Sequence, residues 1–223
     1  MTGGESIRHH NTVKGKTGSF FHKIAEKFRH GLVLHTITYR LARIGIDISP
    51  YYLMKEGLGR SKLPVIKGNP SEYSYSFFGP AEMVSIVRNH PWWRLENKLN
   101  SINEKQKCFG LKHKEEIAAL MWINFEKCSY KKNTFLLKDN EVYFTNMYTV
   151  DTFRGKNLAP FLRYHCMQIL AQMGRDTFYS ITEYFNTPAL KFKKKLNATI
   201  VKLYLNLKLF RRYEWVFTLK NYE

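Results

Sequence analysis

The stretch EVYFTNMYTVDTFRGKNLAPFLRYHCMQILAQMG, residues 141–174, decides how the rest of the chain is read. Glu141–Val150 has the alternating, β-branched and aromatic character of a strand. From Leu158 onward, Leu158, Phe161, Leu162, Cys166, Ile169, Leu170 and Met173 recur at spacings of three and four, which predicts a helix that Gly174 terminates. Between them lies the loop 151–157, DTFRGKN, which opens the helix. A loop of this kind leaves several backbone N–H groups unpaired at a helix N-terminus, where they and the helix dipole together favour a phosphate or pyrophosphate.

Working outward, Thr177–Thr182 is strand-like, so strand, helix and strand predict a parallel crossover. Ala189–Leu196 reads as a further helix, and Thr199–Phe210 and Glu214–Leu219 as closing strands. Upstream, Tyr73–Phe78 predicts a first strand, and Ala81–Asn89 and Trp92–Ile102 predict two helices. Gln106–Leu111 and Ile117–Phe125 form a hairpin across the polar turn HKEE, residues 113–116. The elements make a mixed α/β (α+β) fold with a mostly antiparallel sheet flanked by helices. Residues 1–17 lack periodicity and are expected to form a disordered tail. Residues 18–70 read as a basic amphipathic arm: Phe20, Phe21, Ile24, Phe28 and Leu32 recur near helical spacing among Lys23, Lys27 and Arg29. Gly45, Pro50 and Gly57 argue against a continuous helix through the end of this arm, and Asn69-Pro70 marks the entry to a main domain over 71–223.

Composition narrows the partners. Lysine and arginine outnumber aspartate and glutamate 36 to 18, for a formal charge of +18. That excess favours a polyanionic ligand or an anionic surface. An anionic membrane, reached through residues 18–46, is preferred over nucleic acid as a second partner. Cys108, Cys128 and Cys166 are too few and too widely spaced for a disulfide framework or a metal site, so no metal is expected and a reducing cytoplasm fits. The absence of an apolar signal core or spanning run points the same way, to a cytoplasmic protein, with peripheral attachment to the membrane's inner face compatible with the arm.

The segment Arg154-Gly155-Lys156-Asn157-Leu158-Ala159 resembles the acyl-CoA pyrophosphate loop of the GNAT superfamily: Gln or Arg, two residues, Gly, one residue, then Gly or Ala. Arg154 and Ala159 match. Asn157 stands at the middle glycine, where asparagine tolerates positive φ better than other non-glycine residues. Downstream, NTPALKFKKKLN, residues 186–197, resembles the family's second cofactor segment, with Asn186 at the position whose side chain commonly holds the pantetheine arm. The resemblance covers about residues 72–220 and implies a GNAT-like fold binding acetyl-CoA or another acyl-CoA. It further implies an N-acetyltransferase acting on a small primary amine such as an amino sugar or amino acid. A catalytically impaired GNAT-fold binding module, its basic arm engaging an anionic membrane surface, nucleic acid or a protein partner, is the alternative, because Asn157, Lys193 and Asn197 stand where the family usually has other residues.

The resemblance also implies roles. The acyl carbonyl would sit near Met147–Thr149, where the strand before the loop parts from its neighbour, and the amides of Thr149 and Val150 would pair with the pantetheine. Many GNAT enzymes protonate the thiolate with a tyrosine at the position that is Lys193 here, so that acid is missing; Tyr184, Tyr179 and Tyr148 are substitutes that sequence does not rank. Glu183 is the candidate base. The run Lys191, Lys193, Lys194 and Lys195 either reaches cofactor phosphates or forms a solvated helix face. Adjacent residues His165 and Cys166 point to different sides of a helix, which favours packing over a nucleophile–base pair. Trp92 and Trp93 either line an acceptor pocket or pack inward, and oligomerisation is left open.

Overall fold

The computed structural model describes residues 38, 40–59, 63–89 and 105–222. The expected tail, most of the basic amphipathic helix, and the helix carrying Trp92 and Trp93 lie outside these residues. An eight-stranded sheet in the order β10-β9-β1-β8-β7-β4-β3-β2 organises everything else. Its strands are β1 (Ile46–Glu56), β2 (Tyr73–Phe78), β3 (Gln106–His113), β4 (Glu116–Asn124), β7 (Glu141–Thr149), β8 (Thr177–Glu183), β9 (Thr199–Leu209) and β10 (Tyr213–Asn221). A separate two-stranded hairpin comprises β5 (Lys127–Tyr130) and β6 (Asn133–Leu136). Among the helices are α1 (Pro80–Asn89), α2 (Leu158–Gln172) and α3 (Thr187–Lys195), with short 3-10 turns at Pro70–Glu72 and Asp151–Phe153.

Alternation along β3 and β4 sends successive side chains to opposite faces and so divides the core. Phe109, Leu111, Met121 and Ile123 pack with Leu158, Leu162, Cys166 and Leu170 of α2. Cys108, Leu120 and Trp122 meet Phe78 and the α1 residues Met83 and Ile86. These strands, buried on both faces, read as nearly continuous apolar runs for that reason. The hairpin β5–β6 contributes Cys128 and Phe135 to a third cluster with Leu53, Tyr143 and Val201. None of the three cysteines forms a disulfide, and all are buried.

The mostly antiparallel sheet, its helices and the parallel crossover from β7 through α2 to β8 agree with the sequence reading. One assignment is corrected. Ile46–Glu56 does not belong to an arm outside the domain but is an interior strand, antiparallel to β8 on one side and β9 on the other. Pro50, read from sequence only as a break in a helix, lies within this strand although proline cannot donate to a ladder. The structure accommodates it because pairing with β8 begins only at Tyr51, opposite Glu183, and Pro50 serves that side as an acceptor, its O taking the Tyr184 N–H at 3.0 Å. The hairpin β5–β6 lies in a segment, between Phe125 and Glu141, to which the sequence reading assigns no element. Its strands are short, and its turn runs through Lys131 at φ 56° rather than a glycine or asparagine that would announce it.

Close approach also explains one glycine. The Phe78 ring lies over Gly110, and a Cβ there would stand 1.9 Å from Phe78 Cζ. Phe78 is buried, so the ring has no free space to swing into. Gly110→Ala is expected to lower stability by about 1–3 kcal/mol through overpacking, read as a reduced urea midpoint with unchanged m-value.

Candidate active site

β7 and β8 are the only parallel neighbours among the described strands, and their pairing runs only from Glu141↔Thr177 to Phe144↔Ser180. Beyond that point the strands part, and a cleft of about 950 Å³ opens between them. Thr145–Thr149 line one wall, Ile181–Glu183 the other, and the start of α3 closes one side. On its far side β7 carries a bulge. Tyr148 pairs with Leu120 and Thr145 with Trp122, so Asn146 and Met147 together face Met121, with Asn146 at φ 48°. The extra residue bends the strand, and beyond Phe144 β7 has no ladder partner on the cleft side.

At the mouth stands the loop predicted to hold phosphate. A 3-10 turn, Asp151–Phe153, anchored by buried Phe153, leads to Arg154, Gly155 at φ 78°, and Asn157 at φ 64°, which directly precedes α2. The left-handed geometry expected for Asn157 is therefore present, and its side chain donates to the Val65 O at 2.6 Å. Lys156 O accepts from Lys67 N at 3.0 Å, so the segment 65–67 braces the loop. Lys156 Nζ lies over the Phe153 ring, 4.9 Å from its centroid. Nothing lies within 4 Å of a Cβ built on Gly155, leaving open space above the loop. Arg154 lines the cleft, pairs with Asp151 at 2.7 Å and donates from Nε to Thr149 O at 3.3 Å. Ala159 lines the cleft, whereas the Leu158 side chain is in the core, so Leu158 offers the site only its helix-opening backbone.

Two expectations for β7 separate. Met147, Tyr148 and Thr149 line the cleft, but the Val150 N–H donates to Ala118 O at 2.9 Å and is not free for a ligand. Asn186 lines the cleft and caps α3, its Oδ1 accepting from Ala189 N at 3.1 Å. Glu183 also lines it and accepts at 2.9 Å from Tyr130 at the tip of the β5–β6 hairpin. Burial, then the Glu183 charge, pushes the Tyr130 phenol well above its ordinary range, so it stays a donor. Of the tyrosines proposed from sequence, Tyr184 is outside the cleft lining and stacks on Tyr52 at 5.3 Å. Tyr179 donates to Glu141 at 3.2 Å, away from the cleft, and Tyr148 donates to Asp151 at 3.4 Å near the mouth. His165 stacks against Tyr75 at 4.3 Å and Cys166 is fully buried, with burial raising its thiol pKa, so the two serve packing.

Lys193 departs most from its sequence reading. Lys191, Lys194 and Lys195 are exposed, but Lys193 is 3% exposed and lines the cleft instead of joining a solvated or phosphate-facing run. The helical spacing already placed it on the apolar side of α3, with Ala189, Phe192 and Leu196. Its Nζ donates to Ile181 O at 3.0 Å and to Thr182 Oγ1. Close by are Arg163 and Glu56, two buried charges not singled out from sequence, with Arg163 Nε 3.8 Å from Glu56 Oε2. Ser180 Oγ donates to Glu56 Oε1, and the Arg163 guanidinium lies over Phe144, 4.3 Å from its centroid. Among the described residues no group of three or more His, Cys, Asp or Glu is placed to hold a metal ion, and no helix is long and apolar enough to cross a membrane.

No protein-family model and no curated protein matches the sequence. Solved structures do match the fold. A GCN5-related N-acetyltransferase from Kribbella flavida aligns with a TM-score of 0.51 at 12% identity, over 77% of this chain and 62% of that one. The glucosamine N-acetyltransferase region of a fungal multi-domain GH3 β-N-acetylglucosaminidase aligns with a TM-score of 0.51 at 12% identity, over 78% of this chain and 22% of that one. A functionally unknown protein of Staphylococcus epidermidis aligns with a TM-score of 0.51 at 5% identity, over 76% of this chain and 65% of that one. The chain thus spans less than two thirds of the length of each of these structures. The parting parallel strands and the loop at the start of α2 lie where the resemblance expects them, and the alignments show that this chain has the fold of the GNAT acetyltransferase superfamily.

Proposed function

We propose that the protein is an acyl-CoA-dependent N-acyltransferase, with acetyl-CoA as donor and a small primary amine as acceptor. The observation that carries this reading is the cleft, which opens where β7 and β8 part and runs from the anion-binding loop to the buried cations Arg163 and Lys193. Its volume, about 950 Å³, is that of a ligand site. The loop supplies open backbone donors at the start of α2 and the positive charge of Arg154, the combination that suits a pyrophosphate. The free edges of β7 and β8 suit the amide-bearing pantetheine, which joins them as a short added strand would. Asn186, held as the α3 cap through Oδ1, keeps its amide nitrogen beside the same cleft.

In this reading the amine attacks the thioester carbonyl, and unpaired backbone at the Asn146–Met147 bulge stabilises the oxygen as it gains charge. Glu183 takes the proton lost by the amine nitrogen, with Tyr130 fixing the carboxylate. Holding donor and acceptor in one cleft supplies much of the acceleration by orientation alone. Amino sugars lead the acceptors to screen, since one structural neighbour is described as a glucosamine N-acetyltransferase region.

Isothermal titration with acetyl-CoA tests the donor. Saturable binding is expected, weakened about tenfold or more in Arg154→Glu, where a carboxylate replaces the cation at the mouth; absence of binding by the parent protein would remove the reading. With an acceptor from an amine panel, Glu183→Gln is expected to lower kcat by about a hundredfold or more with little change in acetyl-CoA affinity. Equal kcat values would assign the proton to water instead.

A further inference from the structure

Resting on the acyl-CoA reading above, we propose that Lys193 is the proton donor to the departing thiolate. Its ammonium is fixed at the base of the cleft by Ile181 O and Thr182 Oγ1. These acceptors belong to the two residues that follow Ser180, the last β8 residue paired with β7, so Nζ stands at the crotch of the fork. A ligand anchored by its phosphates at the Arg154 loop and threaded along the open strand edges brings its sulfur end toward that crotch. An ammonium has three donors, and the two described hydrogen bonds leave one for the cleft.

The surrounding charges suit a group that must surrender a proton. Among the described residues, the charged groups acting on Lys193 are Glu56 from β1 and Arg163 from α2. With Lys193 protonated, this buried cluster holds two cations against one anion. Burial lowers the Lys193 pKa to about 7, against the opposing pull of Glu56 and with the help of Arg163. An ammonium of that acidity donates readily to a thiolate, whose conjugate thiol titrates near 8.5 in an unperturbed cysteine. In the balanced step the amine nitrogen bonds to the carbonyl carbon, the C–S bond breaks, and its electron pair goes to sulfur. The Lys193 proton moves to that sulfur and Glu183 takes the proton lost by the amine; before the next cycle Glu183 releases its proton to solvent and the neutral lysine recovers one from solvent through the cleft.

The test needs no acceptor. Coenzyme A, the free thiol, is bound to the parent protein and its thiolate is followed by ultraviolet absorbance across pH, with acetyl-CoA affinity measured separately by calorimetry. The lysine and the bound thiol share one proton over a range of pH, so thiolate absorbance in the parent is expected to begin rising as pH passes about 7, below its onset in Lys193→Met, because part of the singly protonated pair is the thiolate–ammonium form. Acetyl-CoA affinity is expected to change less than about threefold, since the thioester carries no charge for Lys193 to meet. Thr182→Val, which removes one anchor of Nζ while keeping the lysine, gives a smaller shift in the same direction and serves if Lys193→Met does not fold. Identical titrations in parent and variants, with acetyl-CoA still bound, overturn the proposal and leave the acyl-CoA reading standing. Failure of the parent to bind either molecule overturns both.

Discussion

The structure depends on a ladder that stops. β7 and β8 share hydrogen bonds through Phe144 and Ser180 and no further, although both strands continue. Backbone groups that lose their partners inside a domain must find others or meet solvent or a ligand. Here their separation opens the cleft, and elements around it hold the gap. The bulge at Asn146–Met147 turns β7 away while β4 keeps it in the sheet, and α3, capped by Asn186, seats Phe192 and Lys193 against the opening. The gap is a built feature rather than frayed sheet, because both strands remain paired on their outer sides, β7 with β4 and β8 with β1.

The same fork explains why charge is buried. Glu56, Arg163 and Lys193 come from three elements that meet at its base. Removing such groups from water is costly, and Arg163 Nε, Arg163 Nη1 and Glu56 Oε2 lack hydrogen-bond partners in the structure. An apolar cluster of equal volume would serve stability as well or better. Incompletely satisfied buried charge beside a cleft is what a site for polar chemistry contains.

Much of this was legible in the chain itself. The 141–174 segment, the following strand and helix, and the closing strands announce themselves through periodicity. Asn157 was readable as a positive-φ residue because asparagine is among the few side chains that accept that geometry. What escaped did so for physical reasons. β1 was read as part of an arm, because the fit of Pro50 in a sheet depends on where the neighbouring strand ends, which is a tertiary fact. Tyr130 reaches Glu183 across distant sequence, and no local pattern encodes that meeting. The burial of Lys193 was encoded in its place on the apolar side of α3 but masked by the basic residues around it.

The position of β1 also governs when the molecule can exist. Tyr51 pairs with Glu183 and Ile46 with Leu209, so this strand is synthesised well over a hundred residues before either of its neighbours. Ribosomes add about 5–20 residues per second, so for many seconds the nascent chain carries a strand with Leu53 and Met54, later buried, and no sheet to join. Pairings of such long sequence separation also close slowly once available. Until then the half-built sheet exposes a hydrogen-bonding edge at β8, which makes the interval before β1 docks the period of greatest risk from aggregation and of greatest need for a chaperone.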